Sequence, residues 1–412
     1  MVKGKMMRAD EFCSLVTDGT HDSPKAQSFG KRLITSKNLK GYYIDFESAR
    51  YICEEDYKKI IARSSIEQWD ILYSMIGTVG NIYLEKNNFV DYACKNIGIF
   101  KFSGNKDNAF WMYYYLKSNQ AKEYVQANLR GSTQSYISLG GLRALPIWVP
   151  EKNLRDKIVS VLKSIDQKIE NNLAINDNLE QQIKMLIRAW FVEYLPFGGK
   201  IPNDWHSIPL SKIADFISGY SYKGNELKQS RTAMLTIKNF ERNGGFKLNG
   251  FKELIPSSKI KPDHYVELFD TVVAHTDLTQ KAEVIGNAEL VLNFAGYDSV
   301  VFSMDLVKVI PKKEEVSKFM IAALLQNSHF KAHCLGYVNG TTVLHLSKRA
   351  LPEYQLLFPD DLAVLAPLDK ALRSMYMRMA FLIEENQKLQ NIRDTLLPRL
   401  MSGEIDVSNI DL

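Results

Sequence analysis

Two stretches of the chain carry mostly apolar residues at alternating intervals of four and three positions. In the first stretch, about Asp156 to Tyr194, these positions are Ile158, Leu162, Ile165, Ile169, Asn172, Asn176, Leu179, Ile183, Leu186 and Trp190. In the second they are Leu368, Leu372, Met375, Met379, Leu382, Asn386, Leu389, Arg393, Leu396 and Leu400, each 210 residues after its counterpart. This heptad spacing predicts two long helices, each with one face built to pack against another helix.

Polar residues interrupt both predicted seams. Asn176 and Asn386 occupy the same position of the repeat, and Asn172 lies one step earlier on the first helix. A polar residue on a seam lowers stability but fixes register and partner, so we assign a register role to these three asparagines. Arg393, which corresponds to Ile183, is the one residue that does not fit the apolar pattern.

The segment before the first helix predicts a mixed α/β domain over residues 1–150. Short strand-like runs bounded by turn residues lie around Arg32–Ile34, Asp70–Ile76, Gly80–Leu84 and Ile97–Phe102. Helical spacing covers Phe110–Leu129, and a last strand is expected before Pro150.

The chain then repeats itself after a Gly-rich linker at Phe197–Lys200. Trp69–Tyr73 is matched by Phe269–Val273, and the helix before the second loop recurs at Phe319–Leu325. Gly131-Ser132-Thr133 is matched by Gly340-Thr341-Thr342, although the second loop reads as the shorter one, and Arg143-Ala144-Leu145-Pro146 recurs verbatim as Arg349-Ala350-Leu351-Pro352. A two-unit repeat of this length indicates a duplication.

These patterns predict an α+β protein with two homologous α/β domains and an intramolecular coiled coil. We expect domains at 1–150 and 196–358, and spacer helices at 151–195 and 359–412 that pair antiparallel about a pseudo-two-fold axis. A helix of roughly 38 residues spans about 57 Å, or roughly 15 base pairs of duplex DNA. Such a spacer would suit a duplex site that is read at two separated half-sites. The seams could instead dimerise two chains, but two seams in one chain favour internal pairing.

Composition narrows the class of protein without deciding it. The chain has 412 residues, 45% hydrophobic and 24% charged, with a net charge of +5. The positive excess lies in 1–150 and 196–358, which permits a polyanionic partner. There is no apolar run long enough for a membrane span and no secretory signal at the start of the sequence. Four scattered cysteines predict reduced thiols, so we expect a cytoplasmic protein.

Polar loops in the two domains hold the best candidates for binding nucleic acid. Phosphates are held by Lys, Arg, Ser and Thr, and base edges are read by Arg, Lys, Asn, Gln and Thr. This chemistry is supplied by Thr20, His21, Lys25, Arg130, Ser132, Thr133 and Gln134 in the first domain, and by Tyr222, Lys223, His275, Asn339, Thr341 and Thr342 in the second. The same residue types also suit ordinary solvated turns.

Motifs of catalysis and metal binding are missing or explained more simply. The sequence has no P-loop, no GxSxG, no HExxH and no Asn/Asp-Pro-Pro-aromatic run. His329 and His333 have helical spacing for zinc but no further ligands, so we interpret them as helix residues. The aromatic run Trp111–Tyr115 could stack bases but is interpreted as core.

The chain resembles the specificity subunits of type I restriction–modification enzymes. The resemblance covers essentially the whole chain and is most specific in Asp18–Lys25, in Ile201–Trp205 through Ser218-Gly219, and in Leu396–Ile405. It implies a non-catalytic subunit whose two target-recognition domains each read half of a bipartite double-stranded DNA site. It also implies partners: two methyltransferase subunits, which carry S-adenosylmethionine and methylate adenine, and restriction subunits, which use ATP and Mg²⁺. No cofactor and no metal is expected on this chain, and no membrane.

Two other classes of function remain open on the residues alone. The chain could be a protein–protein scaffold with two adaptor domains on a coiled-coil rod, which mild basicity does not exclude. It could also be a self-sufficient DNA-modifying enzyme, which the missing methyltransferase motif argues against. A steep loss of DNA affinity with salt would separate the first alternative from a DNA-binding protein.

Overall fold

The computed structural model describes residues 4–242, 244–405 and 407, which form two compact units. Unit 1 comprises Met1–Glu170 with Lys388–Leu412, and unit 2 comprises Asn171–Gln387. Both units combine short strands with helices, which confirms the predicted α+β class. Each of the two long helices contributes one part to each unit.

Unit 1 is built from nine strands and five short helices together with parts of the two long helices. In the described chain these elements are β1 (Gly4–Arg8), α1 (Ala9–Phe12), β2 (Leu15–Asp18), β3 (Lys31–Ile34), β4 (Arg50–Ile52), α2 (Glu54–Ser64), β5 (Ile71–Ser74), β6 (Ile82–Leu84), β7 (Tyr92–Cys94), β8 (Ile97–Lys101), α3 (Lys106–Leu116), α4 (Asn119–Ala127), α5 (Leu139–Arg143), β9 (Pro146–Pro150) and the long helix α6 (Lys152–Phe191). The strands form the sheets β2-β8-β5-β6, β4-β3-β7 and β1-β9.

Unit 2 repeats the architecture with additional short strands. Its elements are β10 (Trp205–Pro209), β11 (Ala214–Ser218), β12 (Thr232–Leu235), β13 (Lys252–Glu253), β14 (Tyr265–Val266), β15 (Thr271–Ala274), β16 (Thr276–Asp277), β17 (Ala288–Leu290), β18 (Ser299–Phe302), β19 (Leu306–Pro311), α7 (Lys318–Leu325), α8 (Ser328–Leu335), β20 (Val338–Asn339), β21 (Leu344–Leu346), α9 (Ala350–Glu353), β22 (Gln355–Pro359) and the long helix α10 (Ala366–Met401). Its sheets are β11-β19-β15-β17, β13-β12-β18-β14, β16-β21-β20 and β10-β22.

Matching registers show that the two units share one fold. The antiparallel pair β1–β9 joins Gly4 to Pro150, and the pair β10–β22 joins Trp205 to Pro359. In the main sheets β5 and β15 each lie between a long strand and a short one, with the same antiparallel pairings. The second sheet contains a parallel pair in both units, β3–β7 in unit 1 and β12–β18 in unit 2. The duplication inferred from the sequence is therefore confirmed at the level of strand pairing.

The long helices pack antiparallel within each unit and use the predicted seams. In unit 1, Ile158 and Leu162 of α6 share a buried cluster with Leu397 and Leu400 near the end of α10. In unit 2, Ile183 of α6 shares a buried cluster with residues near the start of α10: Leu368, Leu372 and Tyr376. Every described seam position is buried or half-buried. Burial of one stripe of each helix against the other is what holds α6 and α10 together in both units.

A cation on each long helix lies over the aromatic ring of the adjoining domain. The Lys163 Nζ is 5.0 Å from the ring centroid of Phe110 in unit 1, and the Arg373 guanidinium carbon is 5.1 Å from that of Phe319 in unit 2. The two cations are 210 residues apart, which is also the spacing of the seams. The same contact thus joins helix and domain in both copies of the repeat.

Three expectations from the sequence are wrong. The helix predicted over Phe110–Leu129 is two helices, α3 and α4, because Ser118 caps a new helix by accepting a hydrogen bond from the Ala121 N–H. The verbatim repeat of Arg143–Pro146 at Arg349–Pro352 is a coincidence of sequence. Pro146 begins strand β9, whereas Pro352 lies inside helix α9. The third wrong expectation is the shorter second loop, at Gly340-Thr341-Thr342.

The aromatic run and the histidine pair have the ordinary roles that we assigned to them. All residues of Trp111–Tyr115 are buried in the core of unit 1. The His333 Nε2–H donates a hydrogen bond to the Ala350 carbonyl oxygen at 2.8 Å, and the ring packs against Tyr337. No group of three metal-ligating side chains occurs among the described residues. No disulfide links the described cysteines. Within the described ranges no helix is long and apolar enough to cross a membrane.

Candidate nucleic-acid interface

The candidate loops of unit 1 leave the same edge of its main sheet. Asp18 at the end of β2 pairs with Gly98, and Ser74 at the end of β5 pairs with Ile97, so both strands end where β8 begins. The loops that follow them, 19–25 and 75–81, therefore start side by side. The segment 130–136 joins this edge through bridges from Tyr136 to Ile76 and to Arg130. We call these three segments the polar edge of unit 1.

The first of these loops is held by its neighbours. Arg63 donates to the carbonyl oxygens of Gly19, at 2.7 Å, and of Asp18, at 3.2 Å. Gly19 is required there, because a Cβ would lie 2.2 Å from the carbonyl oxygen of Cys94. Gly219 has the same constraint in unit 2, with a Cβ 2.1 Å from the Ser303 carbonyl oxygen. Close backbone approach thus fixes where each loop leaves the sheet.

The predicted residues of this loop differ in what they can reach. Thr20 is buried, and its hydroxyl accepts a hydrogen bond from the Asp22 N–H at 3.1 Å, so its side chain supports the turn. His21 is exposed, with Nε2 2.9 Å from a carboxylate oxygen of Asp18 and Nδ1 2.9 Å from the amide oxygen of Asn96. Lys25 is exposed. His21 and Lys25 are therefore accessible to a partner, while Thr20 is buried and supports the loop.

The second loop presents all its predicted residues to solvent. Arg130, Ser132, Thr133 and Gln134 are exposed at the tip of a turn closed by two hydrogen bonds between Arg130 and Tyr136, both 2.8 Å. Gly131 has φ +91, a conformation that side chains rarely adopt. The Gly77 N–H donates to the Ser135 carbonyl oxygen at 3.2 Å and ties this tip to the 75–81 loop.

Unit 2 builds the same edge from the corresponding strands. Ser218 at the end of β11 pairs with Val307, and Ala274 at the end of β15 pairs with Leu306 at the start of β19. The turn 338–346 is attached to this edge because His345 pairs with both Thr276 and Asn339. The loops 219–223 and 275–280 and the turn 338–346 are called the polar edge of unit 2.

The turn of unit 2 is as long as that of unit 1, which corrects the expected difference. Five residues separate Asn339 from its partner His345, as five separate Arg130 from Tyr136. Gly340, with φ +117, replaces Gly131 at the matching position. The expectation of a shorter second loop is wrong because it rested on short runs of similar residues, whereas strand pairing defines the length of the turn.

The predicted residues of unit 2 lie on this edge with different exposures. Asn339, Thr341, Thr342 and Lys223 are exposed, while Tyr222 and His275 are half-buried. The amide of Gln280 donates to the Thr341 carbonyl oxygen at 2.5 Å and holds the turn against the neighbouring loop. Burial, with the positive charges of His345 and Lys348, holds the pKa of His275 below its usual value.

Several residues of these edges were not found from the sequence. Asn96 orients His21, Gln280 fixes the Thr341 turn, and Tyr136 and His345 occupy matching positions on the two turns. Their roles depend on pairings between segments far apart in the chain, so no local pattern marks them. The repeat itself was the available signal, since Tyr136 and His345 each follow the matched glycine by five residues.

The three predicted register residues lie on the helix pair within unit 2. Asn172 is fully buried, and its side-chain amide donates to the Asn386 Oδ1 at 2.9 Å and to a Glu385 carboxylate oxygen at 2.7 Å. Asn176 is half-buried, and its amide oxygen has no hydrogen-bond partner among the described residues. Asn386 is thus paired with Asn172 and not with Asn176, its counterpart in the repeat.

Comparison with known proteins finds similarity to type I restriction enzyme specificity subunits. The profile of the type I restriction modification DNA specificity domain matches residues 25–181. The type I restriction enzyme HindI specificity subunit of Haemophilus influenzae is 24% identical over 411 residues, covering 84% of this chain and 88% of that protein. The MjaIX specificity subunit of Methanocaldococcus jannaschii is 23% identical, covering 92% and 87%.

A solved structure shares the fold over nearly the whole length. The S subunit of a type I restriction–modification system from M. genitalium superposes with a TM-score of 0.54 at 15% sequence identity, covering 97% of this chain and 96% of that one. Its likeness is to the fold, and the sequence relatives agree with the resemblance drawn from the motifs. Over most of its length the chain is similar to the specificity subunits of type I restriction–modification enzymes.

Proposed function

We propose that this chain is the subunit that gives a type I restriction–modification complex its DNA sequence specificity. Each unit reads one half of a bipartite duplex target through its polar edge. The long helices set the distance between the half-sites and present the docking surface for two methyltransferase subunits. The scaffold alternative is not favoured, because the relatives are specificity subunits.

The observation that supports this proposal most is the duplicated polar edge. In each unit two loops leave one end of the main sheet, and a turn that is distant in sequence is attached beside them by strand pairing. They offer hydroxyl, amide, imidazole and basic groups, which are the groups that bind phosphates and base edges. The strand pairings of the two polar edges are alike and their side chains differ, as expected of two domains that recognise different half-sites.

The chemistry of modification and cleavage belongs, in this proposal, to the partner subunits. We expect S-adenosylmethionine on the methyltransferase subunits and ATP with Mg²⁺ on the restriction subunits, and no catalytic residue on this chain. The target adenine would be rotated out of the duplex into the methyltransferase subunit, while this chain holds the flanking bases.

Exchange of one domain tests the division of labour. The complex with methyltransferase subunits is incubated with random duplex pools, and the bound fraction is sequenced. Replacing residues 1–150 with the corresponding domain of another specificity subunit should change one half-site and leave the other half-site and the spacing as they were. A change in both half-sites, or no enriched sequence in the unaltered complex, would contradict the proposal.

A salt titration separates specific DNA binding from scaffolding. Affinity for the enriched duplex should fall steeply between about 50 and 200 mM salt, because each phosphate contact releases counterions. Partner capture that is independent of DNA and insensitive to salt would favour the scaffold.

Inserting four residues, about one helical turn, near Asn172–Asp177 should change the preferred spacing and not the half-site sequences.

A further inference from the structure

The two polar edges differ in chemistry at two matching positions. Thr78 lies two residues after the bridge from Ile76 to Tyr136, and Leu278 lies two residues after the pairing of Thr276 with His345. The other position directly follows an isolated parallel bridge at the first loop of each polar edge, Thr20–Lys95 in unit 1 and Tyr220–Ser303 in unit 2. There the Asn96 N–H donates to the Thr20 carbonyl oxygen at 3.1 Å, and the Met304 N–H donates to the Tyr220 carbonyl oxygen at 3.0 Å. Unit 1 is polar at both positions, and unit 2 is apolar at both.

Both apolar side chains of unit 2 are open to solvent. Leu278 is 67% exposed and Met304 is 57% exposed. Single exposed apolar residues are common on protein surfaces. Here, however, two of them stand among the residues that carry the binding chemistry, one beside the Thr341 turn and one beside the Tyr222 loop. Their places in unit 1 hold a hydroxyl and an amide, so the fold does not require apolar groups there.

The backbone that carries Leu278 is already ordered. Asp277 is buried, and its carboxylate accepts the N–H of Thr279 at 2.8 Å and that of Val284 at 2.9 Å. Gln280, two residues beyond Leu278, is bonded to the Thr341 carbonyl oxygen. A partner that buries Leu278 therefore pays little for ordering the loop.

The surroundings of these side chains indicate a polyanion with small apolar groups. Lys281 is exposed three residues after Leu278. His345, which pairs with Thr276, and Lys348, three residues further on, are also exposed. Among the groups that duplex DNA presents in its major groove, the apolar one is the C5-methyl of thymine. An apolar side chain on a basic edge matches that group and gains nothing from cytosine or guanine.

We propose that Leu278 and Met304 contact thymine methyl groups, so that the half-site of unit 2 contains thymine at the contacted positions. Unit 1 reads its half-site without such contacts, through the hydrogen-bonding groups of His21, Asn96 and the Arg130 turn. This inference rests on the proposed function and specifies which base chemistry the second reader selects.

Removing the thymine methyl from the DNA tests the proposal directly. Random duplex pools are made with either thymidine or deoxyuridine, which pair identically and differ by this methyl, and are selected on the full chain in complex with methyltransferase subunits. From the thymidine pool we expect thymine at one or two positions of the half-site that depends on unit 2. On that duplex, uracil at either position should raise Kd about four-fold, the value of one buried methyl group.

Variants locate the contact on the protein. Leu278→Ala and Met304→Ala should each weaken binding of the thymine duplex by at least a similar factor, and each should abolish the effect of uracil at one position. Leu268→Ala is the matched control, since Leu268 is 44% exposed at the opposite end of β15 and should change nothing. The half-site of unit 1 should be unaffected in every case.

The outcomes separate this inference from the function on which it rests. Half-sites recovered equally well from both pools, or a uracil effect that persists in Leu278→Ala and Met304→Ala, would overturn the thymine contact and leave specific DNA binding intact. A complex that enriches no sequence from either pool would overturn the proposed function and this inference with it.

Discussion

Arg393 forms an ion pair with Asp166 inside unit 1, with Nη1 3.0 Å from Oδ1. The carboxylate also accepts a hydrogen bond from Tyr42 at 2.9 Å and lies 3.7 Å from the ammonium of Lys117. Burial disfavours the ionised carboxylate, but the two cations outweigh it and hold the pKa of Asp166 below its usual value. Burial lowers the pKa of Lys117 to about 8. The residue that broke the heptad pattern is therefore part of a buried ionic cluster.

Removal of one partner from this cluster should destabilise unit 1. Arg393→Leu leaves the buried Asp166 carboxylate with Lys117 as its one remaining cation in the cluster, 3.7 Å away. Breaking a buried pair costs about 3–5 kcal/mol. We expect a loss of about 3 kcal/mol, at the low end because Lys117 remains. The measurement is hydrogen exchange along 152–170, compared with denaturant unfolding. Arg378→Leu, at an exposed position of the same helix, is the control and should leave exchange in this segment unchanged.

The neutral residues of unit 2 provide a rescue. At the positions that correspond to Lys117, Asp166 and Arg393, unit 2 has Gln326, Tyr376 and Ile183, and the Tyr376 hydroxyl donates to Gln326 at 2.7 Å. The triple variant Lys117→Gln, Asp166→Tyr, Arg393→Ile should recover most of the stability lost in Arg393→Leu, since packed neutral groups replace buried charges at little cost. Exchange in 152–170 faster than in Arg393→Leu would contradict this expectation.

Substitution of the seam asparagines Asn386 of α10 and Asn176 of α6 should change the free energy of unfolding in opposite directions. Asn386→Leu removes one acceptor of the buried Asn172 amide and should lower the free energy of unfolding by about 1–3 kcal/mol. Asn176→Leu removes an amide oxygen that has no partner among the described residues and should raise it. Thermal unfolding of both variants checks the pair. A gain in stability from Asn386→Leu would show that the Asn172 contact contributes nothing.

Glu289 gives unit 2 a dependence on pH that can be measured. Burial raises its pKa to about 7, although its carboxylate accepts the Gly245 N–H at 2.6 Å. The folded state therefore binds more protons than the unfolded one between the ordinary glutamate value of 4.5 and about 7, and stability falls as pH rises through this window. Glu289→Gln keeps an acceptor and loses the charge. Its melting temperature should match that of the wild type below this window and exceed it at pH 8. The corresponding difference in the free energy of unfolding at pH 8 should be about 1–3 kcal/mol. Equal melting temperatures at pH 8 would contradict the buried charge.

The first glycine of each polar edge should affect one half-site alone. Gly19→Ala would force a Cβ against the Cys94 carbonyl oxygen and displace the loop that carries His21, which should weaken discrimination at the half-site of unit 1. Gly219→Ala should do the same at the other half-site. Gly224→Ala, where a Cβ meets nothing within 4 Å, is the control. Selection of random duplexes with the three complexes checks the result. Identical motifs from all three would separate these loops from recognition.

The sequence was sufficient where one period or one repeat determined the structure. The seams of α6 and α10, the strands β3, β5, β6 and β8, and the matched glycines at 131 and 340 all follow from local spacing. The break between α3 and α4 was missed because the helical spacing of apolar residues resumes after Ser118, whose extended backbone separates the two helices and whose hydroxyl caps the second one. Side-chain polarity alone also failed at Thr20, whose burial depends on a bridge to Lys95 that no local pattern indicates.

The charged cluster of unit 1 and its neutral counterpart in unit 2 also restrict which halves of a duplicated gene can be joined. Two copies of the first half would place Ile183 where Arg393 stands and would bury Asp166 without its guanidinium. Two copies of the second half would set Arg393 against Tyr376, with no carboxylate. Only unlike halves complete the arrangement, so a recombinant gene that fuses two identical halves should yield a less stable product in which a charge is buried without its partner.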